Sequence, residues 1–579
     1  MTVPGRRKFV LVEHSLRKLG GHYFLYALQI LTAAEQAGYE PVLAVHREFR
    51  SLDRFPPHWL VLPLFRNRAQ RLHRAVLGGS GGLSAAWART FAHAVDTAWA
   101  FFKRMRVRAH RERSIREFRE ACGELFAKVP LRDGDLVYFS TIGDLDLVAL
   151  GQFLAGEPAA KCADWHLQFH LPVYTGRDPE FVLQDKRVEG LRARFAAVRA
   201  QLPGFAITCH TTTEALTRQY HRIGETTART LQWPVGEPKH ADPRRKAALP
   251  LRLVLPGALR REKGSKQFKP MFEAVRSSDL GGRRIQYLVQ CSERRREQDL
   301  GSLPLVATTE AAVLGKSPLP DAAIVALPHP LGDEAYERLI QTADVGVMIY
   351  GAEDYFARAS GILVEFLAAG VPVVVPAGSW LSDEIQKPND AWLASVLASA
   401  TAARRAQRAA PELEMELATN APDLLVRLRF DRSQLPGTYA RIVVRTSDAS
   451  GRALTTVEST VAAWPEREGA LPAAMFAIPD GSVRVRVDVG TAFPMGVLVL
   501  QQLEAVQLIA GLAGRARPKG LVGLAVSDRD SVPRCIADLV RHHEHYRAGA
   551  QGFATAWRHA HAPMRSIEIL TGVVAGPPV

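Results

Sequence analysis

The feature that most constrains the fold is an alternation of short β-rich runs with helical patterns, which occurs twice along the chain. In the first 240 residues the runs are KFVLVE (8–13), PVLAVH (41–46), DLVYFS (135–140), WHLQFH (165–170) and FAITCH (205–210). The alternation restarts near residue 250 with LRLVLPG, RIQYLVQ, AIVALP, VGVMIY and PVVVPA. Strands that are separated by helices pair in parallel. We therefore predict two Rossmann-like, doubly wound α/β domains, at 1–240 and 241–390.

Two segments interrupt this alternation. Between about 66 and 125, apolar and aromatic residues recur at every third or fourth position in LSAAWARTFAHAVDTAWAFF, which predicts a helical insertion in the N-terminal domain. After an Ala/Arg-rich helix predicted at 391–410, runs such as LLVRLRF and SVRVRVDVG alternate apolar and polar residues between turn sequences. This pattern is typical of an all-β sandwich, which we place as an insertion at 411–510. Helical patterns return at 518–579.

The length and the cysteine content fit a large protein of a reducing compartment. A chain of 579 residues that is 47% hydrophobic can bury several cores. Its five cysteines are far apart and show no metal-ligand spacing, so we expect buried thiols. The first apolar run is too short for a secretory signal, and no run reaches about 18 uninterrupted apolar residues. We therefore expect a cytoplasmic location.

The positive charge is concentrated in one region. Of the net charge of +15, residues 66–120 contribute +9, because they contain 13 Lys/Arg and 4 Asp/Glu. Tryptophans on an apolar helical face followed by KRMRVRAHRER suit peripheral contact with an anionic membrane. A core-packed helix with a solvated basic tail explains the same residues equally well. Nucleic-acid binding is not expected, because the basic run lacks a recognised nucleic-acid-binding fold.

The sequence GALRREKGSKQF (257–268) places cations directly after an apolar strand. Arg260, Arg261 and Lys263 precede Gly264 and a predicted helix. Cations at the C-terminal end of a strand, beside a helix N-terminus, suit a diphosphate group. A solvated basic loop is the alternative interpretation.

The sequence YFARASGILVEFLAAGVPVVVPAGSWL (355–381) combines a helix start, one carboxylate and a buried strand. Ser360 is a good N-cap, and Gly361 allows an anion to approach the N–H groups of the first turn. Glu365 lies one turn further along the helix, where a carboxylate can accept hydrogen bonds from ribose hydroxyls. As an alternative, Glu365 caps or pairs with charges on an ordinary amphipathic helix.

Together, GALRREKG and RASGILVEFLAAGVPVVVPAGSW resemble the C-terminal half of glycosyltransferases of the GT-B fold, specifically the retaining, family 4-like enzymes. The segment 20–46 is similar to their N-terminal glycine-rich loop and first helix, and GLVGLAVSDRDSVPRCIADLV is similar to the start of their final helices. The resemblance covers roughly 1–60, 135–385 and 518–565. It implies a GT-B fold made of the two α/β domains. It also implies a hexosyltransferase that moves a sugar from a nucleotide-diphosphate sugar to a glycan or lipid-linked acceptor in cell-surface polysaccharide or glycoconjugate synthesis.

The resemblance implies roles for particular residues. In the C-terminal half, it implies that Lys263 and an arginine of the same loop bind the donor diphosphate, and we choose Arg260 as that arginine. It implies that Glu365 binds the ribose of the nucleotide. The implied donor-binding set is completed by Ser360, Gly361 and Arg358, and by Gly20 and Gly21 from the N-terminal half. His170, at the end of WHLQFH, corresponds to a histidine near the reacting sugar, and His166 is the less favoured of the two histidines.

Two positions depart from the family pattern. Eight residues before Glu365, where the family carries a glutamate that contacts the donor sugar, this chain has Ala357. The family commonly has an arginine directly after the glycine that corresponds to Gly257. This chain has Ala258 at that position, so Arg260 would have to substitute for the arginine. A non-catalytic binding or scaffold protein and a nucleotide-sugar epimerase therefore stay as alternatives.

No cofactor or metal is expected beyond the nucleotide-sugar co-substrate. Transfer builds negative charge on the departing diphosphate, and preorganised cations and helix N–H groups can stabilise that charge. The DLD sequence (144–146) has the spacing of a metal motif, but it falls at a predicted helix start, where aspartate is a common cap.

Overall fold

The computed structural model describes residues 6–19, 22–66, 92–237, 250–419, 421–510, 516–528 and 530–572, without the side chains of 22 and 92–108. The chain divides into two compact units. Unit 1 comprises 1–175, 183–234 and 562–579, and unit 2 comprises 176–182 and 235–561.

Unit 1 is built on a parallel sheet. Its strands are β1 (Lys8–Glu13), β2 (Glu40–His46), β3 (Leu60–Phe65), β4 (Leu136–Phe139), β5 (Asp164–Phe169), β6 (Ala206–Thr211) and β7 (Arg229–Thr230). Its helices up to residue 234 are α1 (His22–Gln36), α2 (Ala92–Lys128), α3 (Asp144–Ala155), α4 (Asp185–Gln201) and α5 (Glu214–Arg222). The seven strands follow the order β3-β2-β1-β4-β5-β6-β7. The central strands β1 and β4 are buried apart from Lys8, as expected for strands in the middle of a parallel sheet, and this burial explains their apolar runs.

The helical insertion is represented by α2, a helix of 37 residues. Towards its C-terminal end, Phe118, Cys122 and Leu125 are buried, and the Phe118 ring contacts the rings of Phe65 and Phe139. This part of α2 therefore packs into the core of unit 1. Residues 67–91, with the GGSGG sequence and the first tryptophan of the predicted aromatic face, lie outside the described residues.

The first part of unit 2 alternates strands and helices in the same way. The strands are β8 (Leu251–Leu255), β9 (Ile285–Gln290), β10 (Leu305–Ala307), β11 (Ile324–Leu327), β12 (Val345–Val347) and β13 (Val373–Pro376). The helices are α6 (Ser265–Arg276), α7 (Glu293–Arg295), α8 (Glu310–Val313), α9 (Asp333–Gln341), α10 (Gly361–Ala368) and α11 (Trp380–Ser399).

Antiparallel strands follow α11. They are β14 (Ala402–Arg408), β15 (Glu412–Glu416), β16 (Asp423–Phe430), β17 (Tyr439–Ser447), β18 (Ala453–Ala462), β19 (Ala473–Ala477), β20 (Arg484–Thr491) and β21 (Leu500–Leu508). They form two four-stranded sheets, β14-β21-β16-β19 and β15-β20-β17-β18. Apolar side chains from both sheets share one buried core, as alternating strands of a sandwich require.

The predicted helix at 391–410 is wrong in its second half. The helix is α11, which ends at Ser399, and residues 402–408 form strand β14, paired with β21. Alanine and arginine favour a helix locally, but the backbone hydrogen bonds to β21 outweigh that preference.

The chain then returns to the parallel sheet of unit 2. The returning elements are β22 (Gly523–Val526), α12 (Ser531–Arg541) and α13 (His543–Ala560), and the last helix, α14 (Pro563–Thr571), packs against α1 of unit 1. The complete sheet of unit 2 follows the order β10-β11-β9-β8-β12-β13-β22 and is parallel throughout. Among the helices of the described segments, none is both long and apolar enough to cross a bilayer.

Candidate functional site

The strand order of unit 2 defines where a ligand can bind. From β8, the chain builds the sheet outward on one side through β9 and β11, and on the other side through β12, β13 and β22. The loops that follow β8 and β12 therefore leave the sheet in opposite directions and open a crevice at the C-terminal ends of these two strands. Both sequence motifs, 257–268 and 355–381, begin at this edge.

A tight turn after β8 holds Lys263 at the crevice. Arg261–Lys263 form one 3₁₀ turn, and Gly264 adopts a φ of 82° before α6 begins. A Cβ atom at residue 264 would lie 2.1 Å from the carbonyl oxygen of Ile349, in the segment that follows β12. Both the left-handed backbone and this close approach therefore require glycine.

Lys263 lies in a partly buried, positively charged environment. Its Nζ atom is 5.4 Å from the ring centroid of Tyr350, which is within the range of a cation–π interaction. Burial, followed by the charges of Arg260 and Arg358, lowers the pKa of Lys263 to about 8, while Glu365 acts in the opposite direction. Three cations close to one another favour an anionic ligand at this edge.

Of the two arginines that act on Lys263, Arg260 and Arg358, Arg260 is the more exposed. Its side chain is 60% exposed, and its Nη1 atom lies 3.7 Å from the carboxylate of Glu262. Arg358 is half-buried, with its guanidinium 5.2 Å from the ring centroid of Tyr355.

The first turn of α10 shares the crevice with Lys263. Ser360 caps this helix as predicted: it is buried, and its hydroxyl accepts a hydrogen bond from the Leu363 N–H at 3.4 Å. A Cβ atom at Gly257 would lie 3.1 Å both from Lys263 Nζ and from Ile362 Cδ1, so Gly257 makes room for the two to approach each other. The ammonium group is therefore near the side chain of Ile362, the second residue of α10, which begins at Gly361. This combination of a cation and a helix N-terminus suits a phosphate group.

Glu365 lies one turn further along α10 and is half-buried. The hydroxyl of Tyr336, on α9, donates a hydrogen bond to Glu365 Oε2 at 2.7 Å. Burial raises the pKa of Glu365 to about 7, and the Tyr336 hydrogen bond and the charge of Lys263 oppose this effect. Within the described residues no hydrogen bond reaches the other oxygen, Oε1, which can therefore accept one from a ligand.

The departure at Ala357 has a direct structural consequence. Ala357 is 2% exposed, between the buried side chain of Phe356 and the half-buried Arg358. This position therefore contributes no carboxylate to the crevice. The nearest acidic residue in the same loop is Asp354, whose carboxyl pKa is raised by burial and by the charge of Glu262.

Several residues of the crevice were not predicted from the sequence. Gln290, at the end of β9, accepts a hydrogen bond from the Gly257 N–H. His329 follows β11, and burial together with the charges of Arg260 and Lys263 lowers its pKa. Both residues lie at C-terminal strand ends, and this position is the signal that could have identified them. Tyr336 and Tyr350 carry no such local signal.

In unit 1, the structure separates the two candidate histidines. His170 follows β5, with Nε2 2.5 Å from the Ser140 carbonyl oxygen and its ring edge-on to Trp233 at 5.5 Å. His166 lies within the sheet, where its Nδ1 atom is 2.9 Å from His210 Nε2, and burial lowers its pKa to about 4. Of these two histidines, His170 is therefore the one at the C-terminal edge of the sheet. The predicted donor contacts Gly20 and Gly21 lie outside the described residues.

A buried carboxylate at the same edge of unit 1 was also not predicted. Glu13, the last residue of β1, accepts hydrogen bonds from the hydroxyls of Ser140 and Thr141 and from the Ser15 N–H. Burial raises its pKa. Because β1 and β4 flank the point where the strand order of this sheet reverses, Glu13 occupies the ligand-binding edge of unit 1.

The two aspartates of the DLD sequence have structural partners. Asp146 accepts a hydrogen bond from the Gly143 N–H at 2.9 Å and thereby caps α3, and Asp144 pairs with Arg194 at 3.3 Å. In the described parts of the chain, no group of three or more His, Cys, Asp or Glu side chains could hold a metal ion.

Comparisons with known proteins give only distant matches. No protein family model matches the chain, and no curated protein matches it. Three of the solved structures that match in part are a sucrose-phosphate synthase from Thermosynechococcus elongatus, the N-terminal domain of a Candida albicans trehalose-6-phosphate phosphatase and an alpha,alpha-trehalose-phosphate synthase (UDP-forming) from Burkholderia vietnamiensis. Their sequence identities are 15%, 13% and 12%, and their TM-scores are 0.39, 0.40 and 0.37. They cover 68%, 67% and 66% of this chain and 90%, 86% and 86% of their own chains, respectively.

Proposed function

We propose that this protein is a glycosyltransferase of the GT-B, family 4-like type, which transfers a sugar from a nucleotide-diphosphate sugar to a glycan or lipid-linked acceptor. The observation that carries the proposal is the meeting of Lys263, the N-terminus of α10 and Glu365 at one crevice of unit 2. Two sequence motifs about 95 residues apart supply these groups.

The order of the groups along the crevice matches the chemistry of a nucleotide. In a nucleotide-diphosphate sugar the ribose is bonded directly to the diphosphate. Glu365 is four residues beyond the first residue of α10, which is about 6 Å along the helix axis. A diphosphate at Lys263 and the helix N-terminus would therefore place ribose hydroxyls within reach of the Glu365 carboxylate.

The same groups can assist departure of the diphosphate. Cleavage of the bond between sugar and phosphate leaves negative charge on the diphosphate. Lys263, Arg260, Arg358 and the N–H groups of α10 are positive before the reaction begins, so they can stabilise that charge without reorganisation. In this proposal the cations act without a metal ion, and no further cofactor takes part.

The remaining parts of the proposal rest on the sequence resemblance. Retention of configuration and a role in cell-surface polysaccharide or glycoconjugate synthesis come from that source alone. On the acceptor side, His170 and Glu13 of unit 1 are the candidates to contact the acceptor or the reacting sugar, because both lie at the ligand-binding edge of their sheet. The assignment of Gly20 and Gly21 to donor binding likewise comes from the resemblance alone.

One observation favours a second function. The buried Ala357 removes the carboxylate that family 4-like enzymes direct at the donor sugar, as expected for a protein that binds nucleotide sugars without turnover. A panel of nucleotide sugars and cell-envelope acceptors distinguishes the two functions. An enzyme releases nucleoside diphosphate, and a binding protein does not. An epimerase would convert the donor in the absence of any acceptor.

Calorimetric titration with UDP, GDP and ADP tests the nucleotide site directly. We expect one of these to bind, and we expect Lys263→Ala and Glu365→Gln to weaken that binding. Lys316→Ala and Glu273→Gln are matched controls, because both side chains are exposed and neither residue lies at the C-terminal end of a strand: Lys316 comes before β11, and Glu273 is in the last turn of α6. Equal affinity of all five proteins would show that the site assignment is wrong.

A further inference from the structure

The carboxylate of Glu365 is held by a residue from a neighbouring helix. The Tyr336 hydroxyl on α9 donates to Glu365 Oε2 at 2.7 Å, and the two residues are 29 positions apart in the sequence. We propose that Tyr336 is a positioning residue of the nucleotide site, which orients the Glu365 carboxylate and keeps it ionised for the ribose hydroxyls. This inference rests on the nucleotide site proposed above, and it adds a residue that controls how that site depends on pH.

The hydrogen bond fixes which oxygen faces a ligand. The terminal torsion of a glutamate side chain is broad, so an unrestrained carboxylate rotates readily. With Oε2 bonded to Tyr336, the Oε1 atom is left to accept from a ribose hydroxyl. Without the tyrosine hydroxyl, Glu365 would have to be ordered by the ligand itself.

Among the described residues, a small number of groups influence the charge state of Glu365. Tyr336 faces it from α9, Lys263 from the turn after β8 and Tyr350 from the segment after β12. Trp557, on α13, donates to the backbone carbonyl of Val364 and brings no charge. Burial raises the pKa of Glu365 to about 7, and the hydrogen bond from Tyr336 is the stronger of the two effects that oppose this rise. Near neutral pH, this hydrogen bond therefore increases the fraction of the carboxylate that is ionised.

The expected effect of removing the hydroxyl follows from the strength of such a bond. A hydrogen bond to a carboxylate lowers the pKa of the acid by roughly one unit. In Tyr336→Phe the pKa of Glu365 should therefore rise by about one unit, and the ionised fraction at pH 7 should fall from about one half to about one tenth. Affinity for a nucleoside diphosphate should then be about fivefold lower at pH 7, and the loss should shrink as the pH rises.

The chain offers a matched control for this substitution. Tyr287, on β9, is 1% exposed, and within the described residues its hydroxyl has no hydrogen-bond partner. Tyr287→Phe therefore removes the same atom from a buried tyrosine of the same unit without removing a hydrogen bond. Any effect that appears in Tyr336→Phe and not in Tyr287→Phe arises from the contact with Glu365.

Two measurements test the proposal. The first is an infrared pH titration of the ligand-free protein, with the Glu365 carboxyl band assigned by its loss in Glu365→Gln. The second is calorimetric titration with UDP, GDP and ADP between about pH 6 and about pH 9. In Tyr336→Phe, we expect the pH at which Glu365 titrates to rise by about one unit, and the pH at which nucleotide affinity is lost on the acid side to rise by the same amount. In Tyr287→Phe, we expect both to stay unchanged.

The outcomes separate this inference from the proposed function. An unchanged Glu365 titration in Tyr336→Phe would overturn the role proposed for Tyr336 while leaving the nucleotide site intact. Failure of the wild-type protein to bind any of the three nucleotides would overturn the proposed function, and the positioning role with it.

Discussion

Replacing Gly264 with alanine perturbs the turn that brings Lys263 to the crevice. At this position φ is 82°, and an added Cβ would lie 2.1 Å from the Ile349 carbonyl oxygen. Gly282, in the same unit, has a similar φ of 74° but no atom within 4 Å of an added Cβ. The pair Gly264→Ala and Gly282→Ala therefore separates the cost of the left-handed backbone from the cost of the close approach.

The magnitudes follow from these two terms. A left-handed conformation costs a residue with a Cβ about 1–2 kcal/mol. At residue 264 the overlap with backbone also forces the segment after β12 to move, and overpacking of this kind costs a further 1–3 kcal/mol or so. We expect Gly264→Ala to be destabilising by about 2–5 kcal/mol and Gly282→Ala by about 1–2 kcal/mol.

Hydrogen exchange followed by mass spectrometry measures the effect where it arises. Peptides that cover 251–265 and 345–360 should lose protection in Gly264→Ala, because the two segments are pushed apart, and should keep it in Gly282→Ala. Nucleoside diphosphate affinity should fall only in Gly264→Ala, since Lys263 is displaced. Equal protection of these peptides in the two variants would refute the claim that the two segments are held in contact through Gly264.

Three further predictions concern charge. Lys263→Ala should weaken nucleoside diphosphate binding about tenfold to a hundredfold in calorimetric titration, since a hydrogen bond to a charged group is worth about 1.5–3 kcal/mol; Lys316→Ala should leave it unchanged. Wild-type affinity should rise as the pH increases through about 7, where Glu365 ionises, and fall above about 8, where Lys263 loses its proton; a flat profile would contradict these assignments. Replacing the four basic residues of 103–108 with glutamine should reduce flotation with anionic liposomes if this region contacts the membrane, because each basic residue near the surface contributes about 1 kcal/mol; unchanged flotation would exclude that contact.

The sequence was sufficient to predict the parallel sheets and the cap of α10. Buried parallel strands such as β13 read as continuous apolar runs, and Ser360 before Gly361 is a local signal for a helix start. The prediction of a helix at 391–410 was wrong in its second half, because β14 forms there by pairing with β21, whose residues are about 100 positions away in the sequence.

Some residues of the candidate site were not predicted for the same reason, because their contacts join distant parts of the sequence. Tyr336 meets Glu365 across 29 residues, and Glu13 meets Ser140 across 127. Neither contact leaves a periodic pattern or a spaced motif in the sequence. The Glu13 contact becomes visible only when strand order brings the ends of β1 and β4 together, and the Tyr336 contact only when α9 packs against α10.

The most direct test of the proposed activity is the release of nucleoside diphosphate from a panel of nucleotide sugars, with and without cell-envelope glycan and lipid-linked acceptors. The account predicts acceptor-dependent release by the wild-type protein with at least one donor, and release that is strongly reduced in Lys263→Ala and unaffected in Lys316→Ala. Binding of a nucleotide sugar without release, for every donor and acceptor tested, would contradict a transferase and favour the non-catalytic binding protein.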